Sequence, residues 1–339
     1  MRKQALPAAL AAFLLLSCAK EAPAEDARTE FVLGTVCSLR LVSGGDAKTV
    51  DAVFARLRGI EDRMSANKEG TEIAAVNAAA GLAPVRVSAD TFYVVKKGLE
   101  YARLTGGAFD PTVGPLVKLW GIGTDAARLP SPAEIKAATR LIDYRKVGLD
   151  EAASTVFLAE KGMRLDLGAI AKGYAADEAK RVLAERKVKA AIIDLGGNVF
   201  AYGQKKDGSP WRIGVQDPAS DRGDYIGIAT CKDETVVTSG VYERYFEEGG
   251  KRYHHILDTR TGYPVENGLV SVSIISSSSI DADGLSTSLF ALGREAGLRL
   301  AATLPGVEVV MIDAERRVWL TPGATKVFRI TSGNYRLAE

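Results

Sequence analysis

The sequence predicts an α+β fold: mixed, largely antiparallel sheets with helices on the outside. Helical and strand periodicities alternate irregularly along the chain, successive strands are often separated by only a turn, and no internal repeat or low-complexity block interrupts them. Residues 31–42 alternate apolar and polar positions like a strand. Residues 46–64 place Val50, Val53, Phe54, Leu57, Ile60 and Met64 at helical spacing. Residues 89–105 read as a second helix. A third starts over 131–138 behind Pro132, which suits a first helical turn. Residues 156–166 look like a hairpin, 173–186 a helix, and 190–204 a strand that breaks at Gly196-Gly197. Short strands are expected at 211–216, 225–231, 235–239 and 269–276. Helices at 283–292 and 297–304, then strands at 307–313, 318–321 and 327–331, close the chain.

The start of the chain reads as an export signal over residues 1–18. Arg2 and Lys3 precede an apolar run, 5–16, too short to span a bilayer. Leu15-Leu16-Ser17-Cys18 looks like a lipoprotein processing box, with Cys18 lipidated as the first mature residue; ordinary cleavage nearby would leave it unmodified. Residues 19–30 read as a flexible polar tether and 31–339 as one domain. The expected place is a bacterial inner membrane, facing the periplasm, held by acyl chains such as palmitate. Lys plus Arg is 44 against 42 Asp plus Glu, and no basic stripe argues for nucleic acid. Only Cys37 and Cys231 remain in the body, too few for a disulfide framework or a thiolate metal site. Their expected role is apolar packing. Whether they pair stays open.

The only two histidines, His254 and His255, lie side by side ahead of Asp258 and Thr261-Gly262. Histidine is the usual proton-transfer group near neutral pH. A strand ending in a turn, with one ring inward and one in water, accounts for the pattern equally well. Four further segments are chemically unusual. In residues 106–116, three glycines and two prolines fix an irregular loop around Phe109-Asp110. An exposed ring beside a carboxylate there suits a planar ligand, and a purely structural loop is the other reading. Residues 166–174 run from a strand through small residues into a helix, with Lys172 near its start, a weak phosphate signal. Gly196-Gly197 allows close backbone approach. Asp283 and Thr287 share one helix face and offer hard oxygens suited to Mg²⁺; capping by Asp281 or Asp283 is the alternative.

Taken in order, the segments LGT, GAFDPTVGPLVKLWG, DLGAIAKGYAAD, DLGGN, VVTSGVYERYF, YHHILDTRTGYP and DADGLST resemble the FAD:protein FMN transferases, the flavin transferase or ApbE family, from Phe31 to the C-terminus. The resemblance implies an ApbE-like (T-fold-like) architecture and a lipid-anchored, Mg²⁺-dependent enzyme. It would move FMN from FAD onto a Thr or Ser hydroxyl of a target protein, typically a membrane redox subunit, and release AMP. It implies FAD contacts from Leu33, Ala108, Phe109, Asp110, Asp166, Lys172 and His255. Mg²⁺ would take the Ala169 carbonyl and the side chains of Asp283 and Thr287, with Ser286 as an extra contact. His255 matches the family's catalytic histidine, with Asp258 and Thr261 shaping the turn that aims it.

Two departures stand out. Thr259 replaces a usual proline, which loosens φ but keeps the turn. Asn67 stands where relatives usually place a tyrosine against FAD. Losing such stacking forfeits about 0.5–1.5 kcal/mol beyond area burial. A looser, wetter site would let water attack the pyrophosphate, so FAD pyrophosphatase (hydrolase) activity is expected beside transfer. A non-catalytic periplasmic FAD-binding lipoprotein is the alternative, although storage needs neither metal nor base.

Overall fold

The computed structural model describes residues 27–220 and 223–338. Cys18 and residues 1–18 lie outside the described residues, as does most of the expected tether. The tether ends earlier than residue 30: β1 (Ala27–Val32) pairs antiparallel with β2 (Thr35–Ser43), and Arg28 meets Asp51 at 2.6 Å. The single strand expected at 31–42 is therefore a hairpin. Its two-residue turn, Leu33-Gly34, has φ of 58° and 67°, the doubly left-handed turn whose twist matches paired strands.

The chain then enters α1 (Ala47–Met64), started by a capping box between Asp46 and Thr49. α2 (Glu72–Ala78), β3 (Val85–Arg86), α3 (Ala89–Leu104), α4 (Gly114–Trp120) and α5 (Pro132–Thr139) follow. β4 (Val147–Asp150) and β5 (Thr155–Leu158) form a hairpin, with β3 on the other edge of β5. The hairpin expected at 156–166 is thus replaced: β5 finds its partner upstream, and Arg164 makes only an isolated bridge to Val113.

After α6 (Ala171–Glu185), β6 (Ala190–Leu195) and β7 (Asn198–Gly203) flank the Gly196-Gly197 break. β8 (Trp211–Gln216), β9 (Tyr225–Cys231) and β10 (Glu234–Gly240) come next. A small hairpin of β11 (Tyr245–Glu248) and β12 (Lys251–His254) leads to β13 (Leu269–Ser276). The chain ends through α7 (Ser279–Leu292), α8 (Arg294–Ala301), β14 (Glu308–Asp313), β15 (Arg317–Leu320), α9 (Ala324–Val327), β16 (Phe328–Ile330) and β17 (Arg336–Leu337).

One nine-stranded sheet, ordered β1-β2-β6-β7-β10-β13-β14-β15-β17, organises the fold. Its pairings are antiparallel except β15 with β17. Period-two alternation divides its side chains between two cores. Val309 and Met311 of β14 face the helical layer, with Phe54, Leu183 and Leu289. Val310 and Ile312 face the small sheet β16-β9-β8, with Trp211 and Phe328. Cys37 and Cys231 are buried, unpaired, and sit in different cores; burial pushes both thiols up to about 12.

α7 starts four residues before its expected position because its cap comes from another helix. Asp177 of α6 accepts the N–H groups of Ser279 and Ile280, both at 2.9 Å. A carboxylate at a helix start satisfies orphan donors and complements the dipole. Asp281 instead ties α7 to α3, accepting from Tyr101 Oη at 2.6 Å and Lys97 Nζ at 3.0 Å. Asp283 lies in the second turn of α7, so it is no cap.

Candidate active site

The corner where α6 meets α7 is built on Gly173. A Cβ there would lie 2.3 Å from the Ser279 carbonyl and 2.6 Å from Asp283 Cβ, so only glycine permits the approach. The closeness lets the Gly173 N–H donate to Asp283 Oδ2 at 2.8 Å. Asp283 is buried, and its Oδ1 faces Lys172 Nζ at 3.5 Å. Lys172 also donates to the Gly168 carbonyl at 3.3 Å, beside the half-buried Ala169. One turn along α7, Thr287 meets Ser239 of β10 at 3.2 Å, and Ser286 meets the same hydroxyl at 2.8 Å. The donor set is one carboxylate, hydroxyls and main-chain carbonyls. Among the described residues no three His, Cys, Asp or Glu side chains cluster as a metal site.

His254 ends β12 and His255 follows it in a bend, and the two rings meet different surroundings. The hairpin is held by Tyr253 stacked on Phe246, ring centres 5.2 Å apart, and packed on Trp120. His254 is buried. Its Nε2 is 3.0 Å from the Val265 carbonyl and its Nδ1 accepts from the Ile256 N–H at 3.3 Å. Both ring nitrogens are used, so it is structural. His255 is half-buried, with Nδ1 3.2 Å from the Arg244 carbonyl. A carbonyl only accepts, so Nδ1 carries the proton and Nε2 keeps a lone pair. Burial, then the Arg244 charge, push this imidazole down to about 3. Asp258 shapes the following turn: its Oδ1 accepts from Arg260 N at 2.7 Å and Thr261 N at 3.3 Å.

Asp166 joins these groups to the glycine-rich loop. Its N–H donates to the Pro111 carbonyl at 2.8 Å and its Oδ1 accepts from Gly168 N at 2.8 Å. Burial raises its carboxyl, opposed by that N–H and the charges of Arg244, Arg164 and Lys172. The loop itself differs from the exposed ring and carboxylate expected. Phe109 is buried, edge-on to Tyr101. Asp110 is buried too: Oδ1 takes Thr112 N (2.8 Å) and Oγ1 (2.7 Å), and Oδ2 takes Tyr144 N (2.9 Å). These side chains turn inward because the carboxylate organises the loop's own backbone. Of the three residues expected at a ligand here, Ala108 is the one left half-buried. Thr259 then links the loop to the histidine turn, donating to the Gly107 carbonyl at 2.6 Å.

Leu33 joins the cluster through its turn, because Arg244 Nη2 donates to the Gly34 carbonyl at 3.0 Å. A leucine at φ 58° is uncommon and marks local strain. Asn67 is exposed beyond the end of α1, with its N–H on Ser65 Oγ at 3.3 Å. Sequence reasoning missed Arg244, Ser239 and the cap from Asp177, whose roles depend on contacts across the fold; Arg244 carried one signal, its place in VVTSGVYERYF.

Comparison with known proteins agrees with this architecture. The ApbE family model matches residues 33–311. A Treponema pallidum protein named FAD:protein FMN transferase is 40% identical over 330 residues, covering 92% of this chain and 91% of its own. A Klebsiella pneumoniae protein of that name is 38% identical over 308 residues, covering 91% and 95%. The crystal structure of the ApbE protein from Thermotoga maritima superposes with TM-score 0.83 at 33% identity, covering 90% of this chain and 99% of that one. The flavin transferase ApbE from Vibrio cholerae gives 0.79 at 28% identity, covering 89% and 98%. On the extent of these matches, the chain belongs to the ApbE family.

Proposed function

We propose that this chain transfers FMN from FAD to a Thr or Ser hydroxyl of a target protein and releases AMP. The observation that carries the reading is His255, fixed by the Arg244 carbonyl at Nδ1 with the Nε2 lone pair unprotonated and free, in reach of a cationic corner. In the step, His255 Nε2 takes the proton of the incoming hydroxyl. The hydroxyl oxygen bonds to the flavin-side phosphorus, the P–O bond to the AMP phosphate breaks, and AMP leaves with that electron pair. Names of relatives support the assignment: the Treponema pallidum and Klebsiella pneumoniae proteins are FAD:protein FMN transferases.

The residues at the α6–α7 corner fit Mg²⁺. Asp283 is a buried carboxylate whose Oδ1, among the described residues, meets only Lys172 Nζ at 3.5 Å, and a hard ion takes carboxylate, carbonyl and hydroxyl oxygens, then completes its shell with phosphate and water. Asp283, Thr287 and the Ala169 carbonyl would hold it. Bound there, it would neutralise the pyrophosphate charge. Asn67, exposed and ringless, favours a second outcome, FAD hydrolysis to FMN and AMP by water. We further read Cys18 as the lipid attachment that holds the protein at the periplasmic face of the inner membrane.

The test is incubation with FAD, with Mg²⁺ or EDTA, with or without a peptide bearing an acceptor Thr, followed by chromatography. Flavin fixed to the peptide with AMP released supports transfer. AMP and FMN without peptide support hydrolysis. FAD bound but never cleaved overturns both and leaves a flavin-carrier lipoprotein.

A further inference from the structure

Arg244 enters the site from two directions. Its carbonyl accepts the His255 N–H at 3.1 Å and lies 3.2 Å from His255 Nδ1. Its guanidinium donates to the Gly34 carbonyl at 3.0 Å, in the turn that carries Leu33. Among the described residues it forms no ion pair with a carboxylate, whereas Lys172 is turned to Asp283. Its charge reaches both Asp166 and His255. An exposed guanidinium with one N–H held by a carbonyl keeps most of its donors and its full charge.

We propose that Arg244 is a phosphate-binding residue, taking the flavin-side phosphate of the dinucleotide. This rests on the FAD reading above. The planar fork of arginine meets two phosphate oxygens at once, and the hold on Gly34 orients it before substrate arrives. The oxygens it meets belong to the phosphorus under attack, beside His255. Charge gathers on them as the acceptor oxygen bonds and the AMP phosphate leaves. Lys172, paired with Asp283, is left for the metal-side corner.

Binding of riboflavin, FMN and FAD to the protein and to its Arg244→Gln and Arg244→Lys variants, at constant Mg²⁺, tests this. Charge-assisted hydrogen bonds of this kind predict that R244Q binds FMN and FAD about ten- to hundredfold more weakly, with riboflavin binding unchanged. R244K should recover part of the loss and guards against misfolding of the neutral variant. Equal loss of riboflavin binding would make Arg244 only a brace for the Gly34 turn and overturn the proposal. So would unchanged FMN binding in R244Q. A parent protein that binds FAD and FMN no better than riboflavin would instead sink the FAD reading itself.

Discussion

His254 and His255 are consecutive, yet they hold their ring protons on opposite nitrogens. His254 donates from Nε2 to Val265, and His255 from Nδ1 to Arg244. The end of β12 falls between a ring with both nitrogens occupied and a ring with one nitrogen free.

Because the chain has only two histidines, nitrogen-15 correlation NMR reads this directly. The expected spectrum shows one Nδ1–H and one Nε2–H tautomer, with His255 neutral at pH 6, where an ordinary imidazole is substantially charged. Two identical tautomers would contradict the arrangement.

The same groups set a pH dependence. Both imidazoles are held below 6.5, His255 at about 3. Between those values the unfolded chain binds the protons that the folded chain refuses, so their contribution to stability rises with pH and is lost as pH falls below 6.5. Burial of Asp110, Asp166 and Asp177 raises their carboxyls and acts in the opposite direction. Comparing urea midpoints at pH 7 and pH 5 with those of His255→Gln isolates the histidine part: the variant should lose less on acidification.

Replacing the two rings by alanine should give different phenotypes. His255→Ala is expected to slow transfer about 10²–10⁴-fold with FAD affinity kept. His254→Ala leaves the Val265 carbonyl and Ile256 N–H unpaired in the core, and should cost about 1–3 kcal/mol of stability. Single-turnover rates and thermal melts separate the two.

Gly173→Ala should be destabilising by about 1–3 kcal/mol, since the added methyl meets the Ser279 carbonyl and Asp283 Cβ. A melting temperature equal to the parent's would show that the α6–α7 corner gives way freely.

Thr259→Val removes the 2.6 Å bond to Gly107 and keeps the shape. The expected loss is about 0.5–1.5 kcal/mol, with Thr259→Ser close to the parent. Denaturant titration of both variants checks it.

Asn67→Tyr should reduce water-dependent AMP release and raise the share of FMN that reaches a peptide acceptor. Hydrolysis unaltered by the new ring would remove Asn67 from the argument.

Much of the architecture was legible in the sequence because long periodic segments declare themselves. Helices α1 and α3 and strands β8, β9 and β13 fell at or near their expected bounds. The misplaced elements are those whose cause lies elsewhere in the chain. α7 begins early because Asp177 caps it, and β5 pairs with β3 and β4, both upstream of it. At the site, the motif order pointed to His255, Asp166, Lys172 and Asp283, and these do converge. Phe109 and Asp110 were misjudged as exposed, because a loop rich in breakers hides its burial from any periodicity.

The convergence has a consequence for how the protein matures. Gly34, Asp166, Arg244, His255 and Asp283 meet only after strands far apart in sequence have paired, as Cys37 does with Leu195. Such non-local closure is slow and comes late. A chain growing from its N-terminus therefore cannot bring these groups together until α7 has packed on α6.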